Sequence, residues 1–256
     1  MRNFTQFLLS FCATVLLAGC EGKDDPTPAS QSMTGNLVGF VNPVDEFGNP
    51  VSKSGVNVTL EGITPQRTTA SDANGRYEFT GLRAGTYNIA FARQDVSAFK
   101  RLSVAHVGGE QPTFAFTSTL TQPSSSRITN PFVSSSFAGS GTVSIQFNIV
   151  NNAAPPSGTF HRYVAFVGNS SSVSSITGTW YANTTFSSSS FNSSSTGVVT
   201  FNRAVLNSLG LASGSTAYAV LHALPSSFLS MIDPATGRTT PVGLGPASVV
   251  VPFVVP

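Results

Sequence analysis

Thr69-Ala70-Ser71-Asp72-Ala73-Asn74-Gly75-Arg76-Tyr77-Glu78-Phe79 decides how the first half of this 256-residue chain is read. Asp72 can accept a hydrogen bond from the backbone two residues on, and Gly75 can take the positive φ that a tight turn needs. Tyr77-Glu78-Phe79 then alternates apolar and polar, the period of a strand with one buried face. Outward from this turn the same period recurs in Gly35 to Val41, Val56 to Leu60 and Tyr87 to Phe91, with Gly, Pro and Asn between them. None of these segments carries a helical period, so the fold class is all-β.

Four segments follow in order: Asp45-Glu46-Phe47-Gly48-Asn49-Pro50-Val51, Val56-Asn57-Val58-Thr59-Leu60-Glu61-Gly62, the turn segment above, and Gly81-Leu82-Arg83-Ala84-Gly85-Thr86-Tyr87. Together they resemble the carboxypeptidase regulatory-like domain. The resemblance implies a transthyretin-like, Greek-key β-sandwich over residues 34–121, related to folds grouped as carbohydrate-binding-like. Val56, Val58 and Leu60 would face one side, Tyr77 and Phe79 would come from another strand, and Leu82 would plug the corner before the chain re-enters the sheet. No chemistry is implied, because the family occurs as an accessory module on peptidases, adhesins and outer-membrane receptors alike.

Charge marks a boundary. Acids and bases are frequent from Met33 to Leu120, whereas from Thr121 to Pro256 the only charges are Arg127, Arg162, Arg203, Asp233 and Arg238. The serine runs 124–126, 134–136, 170–172 and 187–195 read as loops, since such polar tracts bury little apolar area. Val143 to Ile149, Tyr163 to Val167, Val198 to Phe201, Ala217 to Leu221 and Val249 to Val255 read as strands of a second sandwich over residues 124–256. Leu211 to Val220 resembles the tyrosine corner of fibronectin type III domains, with one extra residue between Leu211 and Tyr218. Pro252 marks the last strand as an edge, because proline cannot donate to a ladder. Arg203 to Leu209 allows one or two helical turns. Asn169-Ser170-Ser171 and Asn183-Thr184-Thr185 match the N-glycosylation pattern and are read as chance.

The N-terminus places this body on a membrane. Arg2 is the only charge before Cys20, Phe4 to Leu17 is mostly apolar, and Leu17-Ala18-Gly19-Cys20 ends the run. Such a segment suits a signal peptide and is too short to span a bilayer stably. It resembles the bacterial lipobox, which implies cleavage after residue 19, acylation of Cys20 and a lipidated tether over residues 20–33. At roughly 0.8 kcal/mol per buried CH₂, two or three acyl chains hold a protein where one would leak off. Lys23-Asp24-Asp25 resembles the signal that sends Bacteroidota lipoproteins to the outer face of the outer membrane; a solvated charge run opening a tether would look similar. Cys12 would leave with the signal and Cys20 would be acylated, so the mature chain would hold no thiol for a disulfide or metal. The formal charge of +2 comes with no basic cluster, so nucleic acid is not expected as a partner.

Catalytic constellations fail. His106, His161 and His222 are the only histidines and none has zinc-ligand spacing. Ser97-Ala98-Phe99-Lys100 has the Ser-x-x-Lys spacing of penicillin-binding enzymes without the partner motifs. No nucleophile elbow, Walker loop or dinucleotide fingerprint occurs. Asp45, Glu46, Asp72 and Asn74 could gather oxygen ligands for Ca²⁺, yet each also works as a turn former. An isopeptide bond from Lys53, promoted by Glu78, lacks an Asn or Asp on the expected closing strand Thr113 to Leu120. Thr179-Trp180-Tyr181-Ala182-Asn183 holds the only Trp. If extended, it points Trp180 and Tyr181 to opposite faces, one of them open to stack a sugar, unless Trp180 is the core tryptophan of the sandwich. The expectation is a surface lipoprotein without enzymatic activity, metal or cofactor, serving as a binding or adhesive module for carbohydrate. The alternative is a spacer or an accessory lipoprotein docking to outer-membrane proteins.

Overall fold

A computed structural model describes residues 33–137, 139, 141–152, 156, 160–187, 194–227, 229–233 and 236–256. Met33 to Pro256 form one compact unit. The architecture is all-β and built of sandwiches.

The first sandwich takes β1 (Thr34–Val44), β2 (Asn57–Glu61), β3 (Arg67–Ala70), β4 (Arg76–Arg83), β5 (Gly85–Arg93), β6 (Val96–His106), β7 (Thr113–Phe114) and β8 (Ser118–Thr121). One sheet runs β4-β1-β7, with β8 also paired to β1, and the other runs β3-β2-β5-β6. β1 is antiparallel to β4 and parallel to β7 and β8. Leu37 and Val41 of β1 and Tyr77 and Phe79 of β4 bury against Val58, Leu60, Ile89 and Phe91. Burying each such side chain stabilises the fold by roughly 1.5–3 kcal/mol. The Tyr77 and Phe91 rings meet edge to face at 5.7 Å. Gly39 lets β1 pass the Tyr77 ring, since a Cβ there would collide with the ring and its hydroxyl.

The turn that opens the sequence reading forms as its residues dictate. Asp72 Oδ1 accepts from the Asn74 and Arg76 N–H groups at 2.8 and 2.9 Å. Gly75 has φ 82°, and the Val41 carbonyl occupies the space a Cβ would need. Leu82 is buried at the corner between β4 and β5.

The second sandwich takes β9 (Arg127–Phe137), β10 (Thr142–Val150), β11 (Phe160–Gly168), β12 (Thr179–Ser187), β13 (Ser194–Asn202), α1 (Arg203–Ser208), β14 (Thr216–Leu224), β15 (Leu229–Ile232), β16 (Thr239–Val242) and β17 (Val251–Val254). Its sheets run β13-β10-β9 and β12-β11-β14-β17, beside a β15-β16 hairpin. β10 alternates strictly, burying Val143, Ile145, Phe147 and Ile149 between the sheets. β11 and β14 are buried on both faces. Tyr163, Ala165, Ala219 and Leu221 face the inter-sheet core, while Val164, Phe166, Val220 and Leu224 pack outward with Val173, Leu244 and Val250. Burial on both sides is why these strands read as continuous apolar runs rather than alternating ones. Pro252 lies on the edge strand β17, opposite Tyr218. α1 is capped by Asn202, whose Oδ1 accepts from the Val205 N–H at 2.8 Å.

Two expectations are corrected. Ser134 to Ser136 belong to β9 rather than to a loop, and Ser194 and Ser195 open β13. β9 and β13 are sheet edges, where serine need not be buried and the backbone ladder to β10 supplies the order. The Leu211 to Val220 segment does not build a tyrosine corner, because Leu211 lies in the inter-sheet core and Tyr218 packs on the outward cluster.

The strand sets join through Glu46. Its carboxylate accepts from the Ser125 N–H at 2.8 Å, the Ser125 hydroxyl at 2.5 Å and the Ser124 hydroxyl at 3.3 Å. Its carbonyl accepts from the Ser226 N–H at 2.8 Å, and the Ser124 N–H donates to the Gly243 carbonyl at 3.0 Å. The linker between β8 and β9 is therefore tied to both sides.

Candidate functional site

Residues marked for chemistry by sequence are mostly engaged in holding the fold. Asp45 Oδ1 accepts from the Phe47 and Asn49 N–H groups at 2.9 and 2.8 Å, and Asp72 caps its own turn as described. Glu46 faces the serine linker instead of joining them. Among the described residues no three His, Cys, Asp or Glu gather as a metal site. Ser97 and Lys100 lie on strand β6, not on a helix, and the Lys100 ammonium pairs with Glu61 at 2.8 Å. Glu78 pairs with Arg76 at 2.7 Å and accepts from the Asn36 amide at 2.8 Å.

Both histidines whose side chains are described are buried. His106 Nε2 lies 3.0 Å from the Leu82 carbonyl and Nδ1 lies 2.9 Å from the Thr113 hydroxyl. A carbonyl can only accept, so Nε2 carries the proton and Nδ1 accepts from Thr113. This closes the end of the first sandwich where β4, β6 and β7 meet. His222 Nδ1 donates to the Gly245 carbonyl at 2.8 Å, and its ring stands edge-on to Phe166 at 5.6 Å. Burial lowers its pKa from the ordinary histidine value, with the bond to Gly245 opposing the shift. His161 lies in β11 with its side chain outside the described residues.

Cys20, Lys23, Asp24 and Asp25 lie outside the described residues. Trp180 and Tyr181 lie in β12, but their side chains are also outside that description. The backbone register places Trp180 opposite Phe166 and Ala182 opposite Ala165, so a ladder irregularity falls at Tyr181.

A site the sequence reading missed lies on the first sandwich. Past β7 the chain follows β1 for one more residue, with the Ala115 N–H donating to the Val38 carbonyl at 2.7 Å. Ala115 turns inward, and Phe114 and Phe116 turn outward, 68% and 81% exposed. Across from them runs β6, an edge strand of the other sheet. Between the two edges lies a groove of about 350 Å³, lined by residues 101–105 and 114–116. Its volume lies within the ~300–1,000 Å³ range of small-ligand sites. The Arg101 guanidinium sits 5.9 Å from the Phe116 ring centre, and donates to the Thr117 carbonyl and the Ser118 hydroxyl, both at 3.3 Å. Phe-Ala-Phe was the available signal. In a strand it puts both rings on one face and the small residue on the other, and here the ring face is the outward one, the reverse of a packing pattern.

Residues 36–119 match the family model of the carboxypeptidase regulatory-like domain. No curated protein matches the chain. Among solved structures, a "putative carbohydrate binding protein" from Bacteroides uniformis is 14% identical with a TM-score of 0.34, over 86% of this chain and 98% of that one. A DUF3823 family protein from Parabacteroides merdae is 12% identical with a TM-score of 0.30, over 87% and 99%. A type II cohesin–X-dockerin complex from Acetivibrio cellulolyticus is 20% identical with a TM-score of 0.29, over 35% and 59%.

Proposed function

We propose that this protein is a lipid-anchored, non-enzymatic binding module displayed on the outer face of the outer membrane, with carbohydrate as its ligand class. The exposed ring pair Phe114 and Phe116 beside the groove is the observation that carries the reading. Flat aromatic faces open to solvent are costly for a soluble surface and suit stacking on the apolar faces of sugar rings. Acylation at Cys20 would hold the body at the membrane and residues 20–33 would tether it. Transfer to the outer face of the outer membrane, which Lys23, Asp24 and Asp25 would direct, would bring the groove to extracellular glycans.

The test is binding of the full chain, purified in detergent micelles, to a panel of neutral and acidic polysaccharides, with Phe116→Ser alongside. Selective binding that falls in a variant with unchanged melting supports the reading. Silence across the panel overturns it in favour of docking to outer-membrane proteins, which co-purification from intact cells would then reveal.

A further inference from the structure

Arg101 carries the only charge among the described residues that line the groove. It is held in place from three sides, by the Thr117 carbonyl, the Ser118 hydroxyl and the Phe116 ring. A guanidinium offers five N–H donors in a fixed fork, and two are used here, leaving three without a partner among the described residues. A cation so oriented, with unused donors beside two exposed rings, matches a planar carboxylate carried on a stackable ring.

We propose that the groove binds an acidic polysaccharide, with Arg101 pairing a uronate carboxylate while Phe114 and Phe116 stack on the sugar rings. This rests on the carbohydrate-binding reading above and adds the ligand's charge and the residue that reads it. Phe114 and Phe116 are two residues apart in near-extended chain, about 7 Å along it, so they present one continuous platform to a linear polymer. An extended peptide added to the outer edge of β6 is the competing occupant, and the backbone there argues against it. The β5–β6 ladder shifts register between Tyr87 and Ile89, and Ser103 takes φ 56°. The Ser103 N–H is bonded to the Asn88 side chain at 3.0 Å. A bulged, twisted edge is a poor template for another strand.

The experiment uses the full chain in detergent micelles against polygalacturonate, alginate and hyaluronate. Fully methyl-esterified polygalacturonate and dextran serve as uncharged counterparts, and polyglutamate as the acidic peptide. The expected result is binding to at least one polyuronate and none to the esterified polymer, weakening as salt rises. Arg101→Gln and Phe116→Ser should each weaken it about tenfold, with Arg101→Lys in between because it keeps the charge and loses the fork. Unchanged melting of each variant excludes misfolding. Binding that is equal for neutral polymers, or that survives Arg101→Gln and Phe116→Ser in folded protein, overturns the acidic-ligand assignment and leaves the carbohydrate reading standing. Binding to polyglutamate alone, or to no polymer, overturns both.

Discussion

Replacing Tyr77 by Phe should stabilise the protein. The side chain is 1% exposed, and its hydroxyl has no hydrogen-bond partner among the described residues. Burial pushes its pKa up to about 12, against the opposing pull of Arg101, which marks how poorly the site solvates charge. A buried unpaired hydroxyl costs roughly 1–3 kcal/mol, and deleting it removes that cost while the ring keeps its edge contacts with Phe79 and Phe91. The missing oxygen leaves a small void, which takes back part of the gain. We expect a net gain of about 1 kcal/mol, raising the melting temperature by roughly 2–4 °C for a body of this size. Gly39→Ala supplies the complementary perturbation, because its methyl would be driven into the same hydroxyl and into the ring edge that bears it, and Tyr77→Phe relieves the hydroxyl part of that clash and leaves the ring part. It should destabilise the wild type, and by measurably less in the Tyr77→Phe background, giving a coupling of about 0.5 kcal/mol or more. Urea melts of the four proteins of this cycle provide the free energies. A Tyr77→Phe variant that loses 1 kcal/mol or more, with no coupling to position 39, would show that the hydroxyl is satisfied and refute the reasoning.

Glu46→Ala removes the acceptor for Ser124 and Ser125 at the junction and should cost about 1–3 kcal/mol. It should also open residues 122–126 to protease, and an unchanged digestion rate would count against the clamp. His222 binds its proton less readily in the folded protein than in the unfolded chain, whose value is 6.5. As pH falls below that value the unfolded state takes up the proton first, so stability falls, and it stops falling once the folded form is protonated too. Melts from pH 7.5 to 5 should show this slope, and His222→Leu should flatten it. Cys20→Ala should release the protein from the membrane fraction and abolish labelling by radioactive fatty acid, whereas retention without label would end the anchor reading.

Strands with one buried face were legible because alternation is written into them, as at Val56, Val58 and Leu60 or at Val143, Ile145, Phe147 and Ile149. β3, β6 and β9 were not read as strands, and each is a sheet edge. Arg67 to Ala70 holds no large apolar residue, Lys100 and Arg101 interrupt β6, and Ser134 to Ser136 interrupt β9. Edge strands are ordered by a neighbour's backbone, which leaves little trace in their own side chains. The roles of Glu46 and Arg101 were equally hidden, because each bonds to residues that only the packing brings near.

The groove and the junction lie at different places along β1 and share no residue. Glu46 and the β8–β9 linker lie past the β8 end of β1, whereas β7 pairs at Leu37 and Val38, nearer the start of the same strand. β1 pairs with β7 and β8 in parallel, and between them the chain keeps its bond to β1 at Ala115 and leaves the ladder at residues 116–117, where Phe116 turns outward. A continuous strand there would have kept its backbone paired; the interruption exposes Phe116 and Thr117 while Ser118 to Thr121 return to the sheet. Arg101 fills the gap by bonding the Thr117 carbonyl that the ladder leaves over. The residue proposed to read the ligand therefore also repairs the backbone at the interruption, which is why Arg101→Lys, with its charge kept and its fork lost, separates ligand charge from local order.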